Sequence, residues 1–366
     1  MKSVAGLDKN FQLLVLEVIK QVEDTAEALE RMSPSVMERI RRRDDYIDIL
    51  NTAIEKTCFE WIRNTRDLPE RTLTMVRAVD IVATNLERVA DNCESIVGQL
   101  RHYRDRTFPA RYDYAACFRE ILAALRGTMK ALTDRDTGLA MKICQSEEAL
   151  DCIYKTAFQN ILAELEKGEP PGDLLTSLMI FHYLERMGDA MENVGEAVLF
   201  AARGEKIKLR QYLSLDQTLA KGPMQSEIDA VEVRSPWITR SGVAIGKVQE
   251  KEGGEERPDY IYKGGNPEKL LKEKQGLERW EAALPGLPPR IQEFDQSGGQ
   301  ATLLLSFLEG STFQEIILGD TQEMLAAASA SLRETLRLLW ARTRKPGPVQ
   351  AGFVGQLETR DRKSGG

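Results

Sequence analysis

The sequence predicts a mainly α protein: two tandem antiparallel three-helix bundles followed by a small α+β domain. Three observations predict it. Apolar residues recur at helical spacing as far as about residue 203. The pattern of that stretch occurs twice. After about residue 220 it gives way to short strand-like runs separated by Gly, Pro and charged turns.

The first helix is predicted over 8–32, where Phe11, Leu14, Val15, Val18, Val22, Ala26 and Leu29 share one face. Ser33-Pro34 supplies an N-cap followed by proline at the first helical position, so a second helix runs from there to about Arg63. Leu68-Pro69 breaks it. The third helix covers about 71–104, with Val76, Val79, Ala83, Leu86, Ala90, Cys93 and Val97 on one stripe. The pattern then restarts. A fourth helix at about 112–133 carries Tyr114, Phe118, Leu122, Leu125, Met129 and Leu132. A fifth covers about 137–167 and is interrupted by Pro170-Pro171-Gly172; a sixth runs over about 173–203 and ends near Gly204. Long helices joined by short breaks favour antiparallel packing.

The restart is an internal repeat. DDYIDILNTAIEKTCFEWI from Asp44 aligns with EEALDCIYKTAFQNILAEL from Glu147, and TNLERVADNCESI from Thr84 aligns with HYLERMGDAMENV from His182. Both units carry Leu-Glu-Arg-x-x-Asp-x-x-Glu in their third helix. Beyond the repeat, AVEVRS, GVAIGKV, DYIYK, RIQEFD and QATLLLSF read as strands, with helices at about 267–283 and 320–342. The units expected are 1–107, 108–208, a linker at 209–225, an α+β domain at 226–344, and a poorly ordered Gly/Pro/charge-rich tail at 345–366.

Composition narrows the function. The net charge is −7, which argues against a general nucleic-acid binder; the densest basic run, Arg41-Arg42-Arg43, is too short to reverse that balance. The five cysteines, Cys58, Cys93, Cys117, Cys144 and Cys152, form no Cys-x-x-Cys pair and read as reduced thiols in a cytoplasmic setting. No signal-peptide pattern opens the chain, and no apolar run approaches the roughly 20 residues that span a bilayer. Only His102 and His182 are present, which excludes a His-rich metal site.

The acids are patterned. On the third helix Asp80, Glu87, Asp91 and Glu94 fall at spacings that place them on one narrow stripe; on the sixth, Glu185, Asp189, Glu192 and Glu196 do the same. The second helix adds Asp44, Asp45 and Asp48, and the fifth adds Glu147, Glu148 and Asp151. Like charges four apart destabilise a helix by a few tenths of a kcal/mol per pair, roughly, and a bound cation removes that cost. Carboxylates with few histidines suit Mg²⁺, Mn²⁺, Ca²⁺ or oxidised iron better than zinc. A solvated acidic face beside a packed apolar stripe is the alternative.

LERVAD and LERMGD, each deep in the last helix of its unit, resemble the paired Glu-x-x-x-Asp signatures of the PhoU family, over about residues 7–205. The resemblance implies two three-helix bundles with metal on an acidic surface of each. It makes Glu87 and Asp91 ligands in the first bundle, Glu185 and Asp189 in the second, with Asp48 and Asp151 facing them; iron, manganese or magnesium is the implied ion. It further implies non-enzymatic regulation of phosphate uptake and phosphate-starvation signalling. The partners would be phosphate transporter components or an associated sensor kinase, with peripheral placement at the inner membrane face through those partners and self-association into a homo-oligomer allowed.

The α+β region has a second resemblance. DYIYKGGNPEKLLKEKQGLERW looks like the lysine strand and following helix of an aminoglycoside-phosphotransferase-like kinase N-lobe. PPRIQEFD and QATLLLSFLEGSTFQEIIL look like its later strands and hinge, and GVAIGK from Gly242 falls near the phosphate-covering turn. On that resemblance Lys263 would meet nucleotide phosphates and Glu273 would hold it. No histidine and no Asp/Asn catalytic constellation follows Phe307, so the large lobe is missing. The alternatives to a non-enzymatic regulator are a phosphotransferase needing a second chain and a metal-free helical scaffold.

Overall fold

The computed structural model describes residues 7–65, 68–204, 208–222, 228, 231–238, 243–250, 259–297, 299–319 and 321–344. The tail from residue 345, Gly242 and the end of the expected linker at 223–225 lie outside the described residues.

Helices α1 (Leu7–Arg31), α2 (Pro34–Asn64) and α3 (Glu70–Leu100) form the first bundle; α4 (Tyr114–Asp134), α5 (Thr137–Glu166) and α6 (Pro171–Arg203) form the second. Proline opens α2 and α6, where its missing N–H costs nothing. Ser33 stands at the α2 N-cap as expected, but its hydroxyl meets Ser35 Oγ at 2.9 Å and caps no backbone N–H. Asp113 and Asp136 do cap: their Oδ1 atoms accept from Ala116 N at 3.1 Å and Leu139 N at 2.9 Å. Gly204, at φ +83°, closes α6 in the left-handed conformation that glycine adopts without strain.

The apolar stripes read from the sequence face inward. Leu14, Val18, Val22, Ile40, Ile47, Leu86, Ala90 and Cys93 are fully buried in the first bundle, and Ile121, Leu125, Ile180, Met187 and Val194 in the second. Of these, Leu14, Val18, Val22, Leu86, Ala90, Cys93 and Leu125 are stripe positions read from the sequence; Ile40 and Ile47 of α2 and Ile180, Met187 and Val194 of α6 are core positions that no stripe identified. The two bundles share one continuous apolar core, because α3 packs along α6 and α1 along α4. Polar bonds fasten the junction. Tyr103 Oη lies 2.8 Å from Ser177 Oγ, and the Asp173 carboxylate accepts from Arg104 N at 2.8 Å. Tyr112 sits edge-on to Phe181 with ring centres 5.6 Å apart.

Most of the segment expected as linker is a helix, α7 (Leu209–Lys221), whose Leu209, Tyr212, Leu215 and Leu219 are buried. It covers one face of a five-stranded antiparallel sheet built from β1 (Val231–Ile238), β2 (Ala244–Glu250), β3 (Tyr260–Gly265), β4 (Ile291–Ser297) and β5 (Gln300–Ser306), in the order β1-β2-β3-β5-β4. Alternation along the strands sorts the two faces. Gly264 pairs with Thr302, and Thr302 Oγ1 bonds Ser214 Oγ of α7, so Tyr260, Tyr262 and Gly264 face α7. Lys263 pairs with Leu303 in the ladder and faces away, toward α8 (Pro267–Ala283). Helices α9 (Phe313–Gly319) and α10 (Gln322–Thr343) follow, and α10 buries no side chain completely.

Candidate metal centre

The first acidic face lies where α2 runs antiparallel to α3. Beneath it Leu86, Val89, Ala90 and Cys93 are sealed in the core, which holds the α3 stripe outward. Glu87 and Asp91, one turn apart, meet Asp48 from α2: one carboxylate oxygen from each lies within 4.8 Å of the others. Among the described residues no other set of three Asp, Glu, His or Cys groups converges this closely. None of the three carboxylates has a hydrogen bond or ion pair with another described residue.

The surroundings are mostly acidic, with Arg88 the basic side chain whose charge acts against Glu87 and Asp91. Burial pushes Asp44 up to about 7, reinforced by the charges of Glu94, Asp91, Asp48 and Glu87. Burial likewise raises Glu87 to about 6, with Asp91 and Asp48 adding to it. Asp91 is raised by burial, then by Asp48 and Glu94, and Asp80 by burial, then by Glu55. Relief from within the protein is slight: the charge of Arg88 lowers Glu87 and Asp91 without an ion pair to any described residue, and Gln21 Nε2 lies 3.4 Å from Asp44 Oδ1. The neighbouring basic run is spent elsewhere: Arg43 holds Glu17 at 3.1 Å and Asp24, and Arg42 holds Glu38 at 3.0 Å. Converging carboxylates that no described protein cation meets in an ion pair are a donor set suited to a hard, oxygen-preferring ion. Asp44 belongs to this constellation; its place in the acidic opening of the second helix was legible, but its depth came only from the packing of α1 over α2.

The second face presents the same acids differently. Asp151, Glu185 and Asp189 lie on facing turns of α5 and α6, yet each has a basic neighbour. Lys155 Nζ is 2.6 Å from Asp151, Arg186 Nη1 is 3.3 Å from Asp189, and His182 Nδ1 is 3.6 Å from Glu185. Glu196, the last acid of the stripe, is buried; its carboxylate accepts from Lys208 Nζ at 2.7 Å and from Leu209 N at 3.2 Å. The helices also approach more closely here. A Cβ on Gly188 would lie 2.9 Å from Leu150 Cδ1, and one on Gly195 would strike Cys144 Sγ and lie 2.7 Å from Ala140 O. The repeat has Ala90 and Val97 at the matching positions.

On the outer face of the sheet Lys263 Nζ forms an ion pair with Glu273 of α8, the pairing that the resemblance to a kinase N-lobe implied. Four of the five cysteines are buried and Cys152 is exposed; none is bonded to another.

Comparison with known proteins matches the PhoU domain at residues 12–100 and again at 117–198. The phosphate-specific transport system accessory protein PhoU homolog of Clostridium acetobutylicum is 24% identical over 192 residues, 52% of this chain and 88% of that protein. The corresponding protein of Escherichia coli is 21% identical over 205 residues, 56% of this chain and 85% of that protein. A crystal structure of PhoU from Pseudomonas aeruginosa aligns with 54% of this chain and 96% of its own, at 22% identity and a TM-score of 0.48. The family match stops at residue 198, before the sheet begins. The two helical bundles of this chain are a tandem pair of PhoU domains.

Proposed function

We propose that this chain is a regulator of phosphate transport that works by contacting a phosphate-transport system and its associated sensor kinase, and not by catalysis. What supports this reading is the duplicated domain, shared with relatives that are named as accessory proteins of phosphate-specific transport systems. No described helix is long and apolar enough to cross a membrane, so attachment to a transporter runs through protein surface. Unit boundaries near residues 107 and 208 belong to the same proposal.

A hard cation at the first bundle, iron, manganese or magnesium, is part of it. Asp48, Glu87 and Asp91 would hold that ion, with Asp44 behind them, and the ion would supply positive charge to a face where Arg88 alone offsets Glu87 and Asp91 only in part. The observation that carries this is the convergence of three carboxylates that no described protein cation meets in an ion pair. Two experiments test the proposal. A deletion strain should lose normal control of phosphate uptake, and affinity capture from phosphate-replete cells should recover a transporter component or sensor kinase. Unaltered uptake together with recovery of neither would remove the regulatory reading. Elemental analysis of chelator-free protein tests the ion, with metal lost in Glu87→Ala/Asp91→Ala.

The Lys263–Glu273 pair favours a second reading for the sheet unit alone: a nucleotide-binding remnant. Calorimetry with ATP tests it, and Lys263→Ala should weaken binding more than Lys272→Ala.

A further inference from the structure

The two PhoU domains carry matching acids, so the residues that differ around them are informative. On the repeat alignment Asp48 corresponds to Asp151, Glu87 to Glu185 and Asp91 to Asp189. Three neighbouring positions are not matched. Thr52, exposed one turn after Asp48, becomes Lys155, whose ammonium sits 2.6 Å from Asp151. Thr84 becomes His182, 3.6 Å from Glu185. Gly98 becomes Glu196, which receives Lys208 from the start of α7. The arginine common to both units differs only in reach: Arg186 comes within 3.3 Å of Asp189, whereas Arg88 acts on Glu87 and Asp91 through its charge without an ion pair to any described residue.

We propose that the second acidic face takes no metal ion: Lys155, Arg186 and Lys208 balance it from within the chain, and it serves instead as the seat of α7. The proposal rests on reading the first face as the metal centre. Like-charge repulsion is what draws a cation to a carboxylate stripe, and here tethered cations already offset part of it. A single exposed pair is worth little, about 0–1 kcal/mol. Three tethered cations on one narrow face compete at high effective concentration, though, and do not dilute away. Glu196 adds a geometric reason. Its two oxygens are committed to Lys208 Nζ and Leu209 N, so the end of the stripe caps a helix. The chain is then a one-centre member of a two-domain architecture. Its second domain has exchanged an external cation for the amino end of its own C-terminal extension.

Mn²⁺ uptake by the full chain, followed through the electron paramagnetic resonance of the free aqua ion, tests this. Asp48→Asn/Glu87→Gln/Asp91→Asn should abolish uptake, and Glu185→Gln/Asp189→Asn should leave it unchanged. In the first-face triple variant, adding Lys155→Thr should create a Mn²⁺ site, strengthened by Lys208→Ala and removed by Glu185→Gln/Asp189→Asn. Conversely, Thr52→Lys in the otherwise natural chain should lower Mn²⁺ affinity at least ~10-fold; it is an exposed helix position, so the fold tolerates it. Uptake that survives in the triple variant and disappears with Glu185→Gln/Asp189→Asn would overturn the proposal. So would the absence of any gain after Lys155→Thr and Lys208→Ala in protein whose circular dichroism is unchanged. Failure of the first-face reading looks different: the natural chain and the triple variant would then behave alike, while the gain arm still reports on the second face.

Discussion

Asp44→Asn in the metal-free protein is the sharpest probe of the first acidic face. Asp44 is half-buried among Glu87, Asp91, Glu94 and Asp48, and its carboxyl is lifted from an ordinary 3.8 to about 7. That rise corresponds to about 4 kcal/mol at full effect. Solvent screening at a partly exposed face reduces it to about 1–2 kcal/mol. A carboxyl raised in the folded state favours folding at low pH, where it is protonated, and that contribution is lost as pH climbs through the folded value. The natural chain should therefore lose stability between about pH 4 and pH 7 on account of this group. Asparagine keeps the shape and the acceptor facing Gln21 Nε2, but never ionises. At pH 8, after chelation, Asp44→Asn should be more stable than the natural chain by about 1–2 kcal/mol, or about 2–8 °C in melting temperature. Most of the difference should vanish by pH 5. Parallel melts at pH 8 and pH 5, by circular dichroism, read both numbers. Equal pH dependence in the two proteins would refute the reasoning, since it would mean that Asp44 carries no strained charge.

Other expectations follow from packing. Leu86→Ala, at a site with no solvent exposure, should cost about 2–5 kcal/mol by denaturant titration. Gly195→Ala places a methyl group against Cys144 Sγ and Ala140 O and should cost about 1–3 kcal/mol, while Gly98→Ala, with nothing within 4 Å of the new carbon, should not destabilise. Glu196→Ala should loosen α7, seen as faster amide exchange across 209–221 with exchange in α1 unchanged. The purified chain should transfer no phosphoryl group from ATP to small alcohols or to itself, because Lys263 and Glu273 offer a clamp without a metal-holding acid or a nucleophile-positioning group; radiolabel transfer lost in Lys263→Ala would contradict this.

The helices were legible because their apolar spacing and their breaks agree. Residues such as Leu14, Val18, Leu86 and Ala90 fall on the faces that periodicity assigned to them. The five strands were legible as alternating runs between turns, and the Lys263–Glu273 pair only through the resemblance to a kinase N-lobe. Helix α7 was not. Leu209, Tyr212, Leu215 and Leu219 keep helical spacing, but over a stretch short and charged enough to read as a connection. At the first face, convergence of Asp48 with Glu87 and Asp91 follows from two antiparallel helices carrying acids at facing turns. At the second, the Asp151–Lys155 pair is visible in sequence as a four-residue spacing. The Glu196–Lys208 contact is not, because it forms only when the chain returns past the end of α6. Local periodicity therefore identified both acidic stripes, and tertiary return decided what became of each.

Helix α7 is bonded on both sides. Its first residues are held by Glu196 of α6, its Ser214 bonds Thr302 in the sheet, and its Lys221 pairs with Asp295 of β4. A unit hung on a flexible tether reports only its presence, through local concentration. A unit joined by a short helix clamped at both ends reports its posture as well. Anything that tilts the sheet must pull on the carboxylate of Glu196 through thirteen residues of rigid backbone. Anything that shifts α6 must push the sheet by the same amount of free energy in return, since coupling between two sites is reciprocal. The C-terminal extension is thus tied to the second PhoU domain through the carboxylate of Glu196.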